Sequence, residues 1–172
     1  DEQIKECKAL NPGARVIYIL RDPLARAVSA LRMHTMWATD NAPADQVPIA
    51  FDRPFLDRVS RARIHAHGDY AGNLQRWRRQ YPDLLVVDYA VLAADPGAEI
   101  AGILAHCGLP AEALTTRPGY GERLNRRVWH APEYPLSADC LNFLDGMLWR
   151  EREAAEAETG IRFTPEIRKA GP

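Results

Sequence analysis

Lysine is nearly absent from this chain: of its 22 basic residues, all but three are arginine. Arginine offers a planar, permanently charged fork suited to phosphate or sulfate, where lysine offers a point charge. A GC-rich genome gives the same bias without any ligand. Cysteine is equally scarce. Cys7, Cys107 and Cys140 are odd in number and show no metal-ligand spacing, which argues against a disulfide scaffold and against a cysteine-held metal. Cys107 reads as a core residue on an apolar helical face, and a Cys107–Cys140 bridge is the less favoured alternative. No run of about 20 apolar residues could span a membrane, and no secretory signal is visible. Repeats and low-complexity tracts are also missing. The net charge is −1, so nothing in the balance announces nucleic acid.

What is present fits one globular domain, 1–172, long enough for a sizeable core. Residues 2–10 read as the end of a helix that Asn11-Pro12-Gly13 breaks. Val16 to Leu20 is a continuous apolar run of strand character, read as a buried strand. Asp22 then serves as N-cap and Pro23 as first residue of a helix to about Met36, with Leu24, Ala27, Val28 and Leu31 on its core face. The segment 38–54 is rich in Pro, Asp and Asn and reads as a long loop, the kind that often forms a lid or binding loop. Residues 55–66 look helical. Gly68 interrupts, and Asp69 caps a helix from Tyr70 to Gln80.

Leu84 to Asp88 is a second buried strand, and Asp95-Pro96 opens a helix across Glu99 to Cys107 that Gly108 ends. Residues 110–135 are loop-like and carry Arg117, Arg123, Arg126 and Arg127. Ser137 caps a last long helix with Leu141, Leu144, Leu148 and Trp149 on its inner side, and Gly160 ends it. Apolar strands alternating with helices predict an α/β fold with a parallel sheet covered by helices. Two strands are too few for a stable parallel sheet. The chain also opens inside an amphipathic helix (IKECKAL). Both features lead us to expect that an N-terminal part of the domain is missing.

The chemistry concentrates at the first strand's tip. In open α/β sheets ligands bind beyond the carboxyl ends of the strands, where Arg21 lies. The next helix is expected to aim free N–H groups and its positive end at the same space. Taking Leu24 as the core direction, Ser29 lies roughly 140° and Arg26 roughly 200° around the helix, so they share a face turned from the core. Arg21, Ser29 and Arg26 would then form a three-point anion clamp, the serine hydroxyl adding one donor. The other reading of the same residues is an ordinary turn in which Arg21 pairs with a helix carboxylate.

The order Arg21-Asp22-Pro23-x-x-Arg26-x-x-Ser29 resembles the 3′-phosphate-binding motif of sulfotransferases that use 3′-phosphoadenosine 5′-phosphosulfate (PAPS). Gly68-Asp69-Tyr70-x-x-x-Leu74-x-x-Trp77 with Tyr81-Pro82 is similar to a pattern of the bacterial and carbohydrate branches. Leu84 to Pro96 resembles their next strand and following turn, with Ala90 in place of the usual acidic residue. Leu104-x-x-Cys107-Gly108-Leu109-Pro110 resembles a helix end of the same family. The likeness covers roughly residues 2–160.

This resemblance implies a P-loop-NTPase-like three-layer sandwich. It also implies transfer of a sulfuryl group from PAPS to a hydroxyl or amine of a carbohydrate or small-molecule acceptor, leaving adenosine 3′,5′-bisphosphate. Arg21 and Ser29 would hold the 3′-phosphate. Arg126 and Arg127, after Asn125, would belong to a basic loop closing over the nucleotide. Tyr70 would approach the nucleotide or the acceptor, or simply pack its helix. The loops 38–54 and 110–135 would shape the acceptor site.

The family's Gly-rich phosphosulfate loop does not occur; Gly119-Tyr120-Gly121 is the nearest stretch and follows no predicted strand. The catalytic base is expected in the same missing region, so no catalytic residue is assigned. His34 could face the cleft. His65, His67, His106 and His130 have no supporting pattern. No metal is required. A bacterial cytoplasmic enzyme is the expected setting. Two other readings share these features: a P-loop nucleotide kinase with an Arg-rich lid, and a non-catalytic relative that binds an anionic ligand or partner.

Overall fold

The computed structural model describes residues 2–125 and 131–163. The chain divides into two compact units, each made of two stretches: 1–21 with 71–128, and 22–70 with 129–172.

The first unit holds the sheet. Helix α1 (Glu2–Leu10) ends at the Asn-Pro-Gly break, and strand β1 (Ile17–Leu20) pairs in parallel with β2 (Leu85–Asp88). Ile17 lies opposite Leu85 and Leu20 opposite Asp88. The two strands therefore stop level with each other, and Arg21 and Tyr89 are the next residues on each. Both strands were expected to be buried. Leu20 is fully buried, but Ile19 is 48% exposed. Successive strand side chains point to opposite faces, so the face that carries Ile19 is the open one.

Between β2 and the capped helix α7 (Pro96–His106) lies an extra helix, α6 (Tyr89–Ala94), which starts because Asp88 Oδ1 accepts from Ala90 N–H at 2.8 Å. Asp95 caps α7 in the same way through Ala98 N–H. Gly108, at φ +71°, ends α7 as its position predicts. The segment 110–135 was expected to be loop. It contains two short helices, α8 (Glu112–Thr115) and α9 (Tyr120–Asn125).

The second unit is helical. It contains α2 (Pro23–Ala38), α3 (Arg53–Arg61), α4 (Ile64–Gly68) and α10 (Ala138–Thr159). Helix α5 (Tyr70–Arg78) starts at the boundary between the units. Leu24, Ala27, Val28 and Leu31 form the buried face of α2, as their 3.6-residue period predicts. They join Phe55, Ile64, Leu144 and Leu148 in one core. Each large apolar side chain there contributes about 1.5–3 kcal/mol. Gly68 lets α10 come close, since a Cβ at Gly68 would stand 2.9 Å from Leu148 Cδ2.

On α10, Leu144 and Leu148 are buried but Trp149 is 44% exposed. Arg150 lies over the Trp149 ring instead. Trp149 follows Leu148 by about 100° of helix rotation, which carries it off the inner stripe.

The loop 38–54 is partly built into this core. Ile49 is buried and bridges in parallel to Leu136, its N–H donating to Pro135 O at 2.8 Å. Tyr134 Oη donates to Ala42 O at 2.9 Å. The architecture is mixed α/β with parallel strands, the class the sequence predicts and one consistent with a P-loop-like sandwich. The described part of the sheet has two strands.

Candidate functional site

Arg21 follows directly from the register of the sheet. Because β1 and β2 end level, its guanidinium meets the residue after β2 and lies over the Tyr89 ring, 4.8 Å from the centroid. Stacking of this kind contributes about 0.5–2 kcal/mol. The Arg21 Nε is buried and has no hydrogen-bond partner among the described residues. A buried donor left this way costs about 1–3 kcal/mol. Among the described residues no helix carboxylate pairs with Arg21.

The carboxylate next to it in sequence is already occupied. In the second unit, Asp22 caps α2, its Oδ1 accepting from Ala25 N–H at 2.7 Å. Its Oδ2 accepts from Arg152 Nε at 3.2 Å, and Arg152 Nη2 donates to Asp145 Oδ1 at 3.1 Å. Asp22 and Arg152 are both nearly buried, so this network fixes the N-terminus of α2 to α10. It also changes the expected role of that helix end. Pro23 has no N–H, Ala25 N–H is taken by the Asp22 side chain, and Arg26 N–H donates to Asp22 O. The first turn of α2 thus keeps only Leu24 N–H for an outside anion, not the open set of donors expected.

Ser29 is exposed on α2, one turn beyond Arg26 and on the same face. Arg26 uses one arm within the second unit: Nη2 donates to Ile64 O at 2.7 Å, tying α2 to the start of α4. Tyr70 is buried. Arg126 and Arg127 lie outside the described residues. His34 is half-buried and meets Trp37 edge-on, with ring centroids 5.3 Å apart.

His65 Nε2 lies 2.8 Å from Glu151 Oε1. For His67, loss of hydration around the ring, then the charges of Arg26 and Arg63, hold the pKa below its usual 6.5. Cys7, Cys107 and Cys140 are free thiols, Cys107 only half-buried. Among the described residues no group of three or more His, Cys, Asp or Glu side chains could hold a metal ion. Among them, too, no helix is long and apolar enough to cross a membrane.

Three partners escaped the sequence reading, Tyr89 in the first unit and Arg152 and Glu151 in the second. Tyr89 could have been found by aligning the two strands so that their ends coincide. Arg152 and Glu151 come from α10, over 80 residues after the elements they bind, and no local spacing signals them.

A family model described as the sulfotransferase family matches residues 2–113, which include Arg21, Arg26 and Ser29. The chain belongs to the sulfotransferase family. No curated protein and no solved structure matches it.

Proposed function

We propose that this chain takes part in sulfuryl transfer from PAPS to a hydroxyl or amine of a carbohydrate or other small acceptor. Arg21 and Ser29 bind the nucleotide 3′-phosphate. The observation that carries this reading is Arg21 itself. It stands at the end of a parallel strand, in a chain of this family, with a buried Nε that no described residue satisfies. A phosphate oxygen would satisfy it with a charge-assisted bond.

In this reading the stacked Tyr89 holds the fork in place before the ligand arrives, so less side-chain entropy is lost on binding. The Asp22–Arg152 pair supports the same outcome by occupying the neighbouring carboxylate. Ser29 adds a neutral donor. These residues bind and position the donor. Sulfuryl transfer also needs a base for the acceptor proton and stabilisation of charge on the leaving phosphate, and no described residue is assigned to either task.

The test is calorimetric titration with adenosine 3′,5′-bisphosphate beside 5′-AMP. Binding that depends on the 3′-phosphate supports the reading. Equal affinity for the two nucleotides, or none for either, would favour the non-catalytic alternative. Preference for ATP would favour the kinase.

A further inference from the structure

The turn between α3 and α4 holds an arginine in a backbone conformation that arginine rarely adopts. Arg63 has φ 47° and ψ 43°, in the left-handed region. Among the described residues two other non-glycine residues have positive φ, Asp40 and Asn41, and both belong to the types that tolerate it. Arginine does not. Its backbone bonds give no reason for the choice: Arg63 N–H donates to Ser60 O and its carbonyl accepts from His67 N–H, both at 3.0 Å. Glycine or asparagine could make the same two bonds at lower cost. What arginine adds is a guanidinium, exposed and without an ion-pair partner among the described residues.

Its surroundings lie within the second unit. The bond from Arg26 Nη2 to Ile64 O sets the residue after Arg63 against the first turn of α2. Arg26 stands three residues before Ser29, on the same face of α2. His67, one turn along α4, feels the charges of both Arg26 and Arg63. The Glu151 carboxylate that α10 brings to α4 is bonded to His65. Backbone strain of this kind collects at ligand sites.

We propose that Arg63 is a further binding residue for the nucleotide 3′-phosphate, presented by the left-handed turn so that it joins Arg26 beside Ser29. This rests on the donor reading above. The strained backbone is retained because the turn aims a cation that glycine would not supply.

The variant Arg63→Gly separates the two roles, because it relieves the backbone and removes the charge together. Its thermal midpoint should equal or exceed that of the wild type. Its affinity for adenosine 3′,5′-bisphosphate should fall about tenfold, the loss of one charge-assisted contact, while that for 5′-AMP stays unchanged. Arg63→Lys should recover part of the loss. If Arg63→Gly binds the bisphosphate as tightly as the wild type, or loses affinity for both nucleotides alike, this inference is overturned and the role of Arg21 and Ser29 stands. If the wild type itself fails to prefer the bisphosphate, the donor reading falls and takes this one with it.

Discussion

Two neighbouring residues belong to different units and accommodate their charged side chains in different ways. Asp22, in the second unit, is paired with Arg152 and caps α2. Arg21, in the first, has an aromatic ring and, among the described residues, no carboxylate. The cores of the two units are also built differently. The second has a continuous core in which Leu24, Leu31, Phe55, Leu144 and Leu148 are all buried. The first buries Leu20, Leu74, Tyr81 and Val87 but leaves Ile19, Tyr89 and Val91 largely open around a two-stranded sheet. A chain that pairs Arg152 twice could have paired Arg21 as well. No described residue meets its buried Nε, and the proposal that Arg21 serves a ligand starts from that observation together with its place at the strand tip.

The comparison can be broken most forcefully in the core of the second unit. Leu148→Ala should cost about 2–5 kcal/mol in denaturant unfolding, since a fully buried leucine leaves a cavity between α10 and Gly68. Arg152→Ala should cost about 3 kcal/mol, because Asp22 and Asp145 would lose their shared cation and Asp22 would stay nearly buried. In the first unit, Ile19→Ala should cost about 1 kcal/mol or less, as half of that side chain already meets water. Equal losses at Leu148 and Ile19 would mean that the two units do not differ in packing.

The smallest effect is one of pH. His67 is held below 6.5 in the folded chain. As the pH falls through that value, the unfolded chain takes up the proton first, so stability declines toward acid. Replacing His67 by Gln should remove this increment. The stability difference between variant and wild type should therefore shift in the variant's favour between about pH 7.5 and pH 5.5. Parallel curves for the two proteins would show that His67 contributes nothing to the acid side.

Much of this was legible in the sequence because it is local. The caps at Asp22, Asp95 and Ser137, the glycine stops at 108 and 160, the inward stripe of α2 and the strand-tip position of Arg21 all follow from spacing within one element. Trp149 was misplaced because a stripe was extended one residue too far. The helices in 110–135 and the break at Arg63 were missed for a different reason. Short helices and left-handed turns lack the periodicity that identifies longer elements. The loop 38–54 looked free because its Pro, Asp and Asn hide Ile49, whose burial depends on Leu136 far along the chain. The partners that define the site, Tyr89 for Arg21 and Arg152 for Asp22, are set by sheet register and by helix packing. Neither can be read from a single stretch.

The central claim is that Arg21 binds the 3′-phosphate, and the affinity of Arg21→Ala for adenosine 3′,5′-bisphosphate tests it most directly. The account predicts a loss of about 2–3 kcal/mol, or roughly 30- to 150-fold, for a charge-assisted contact, with Ser29→Ala losing about 1 kcal/mol and 5′-AMP binding unaffected by either change. An Arg21→Ala protein that folds normally and binds the bisphosphate as tightly as the wild type would contradict it.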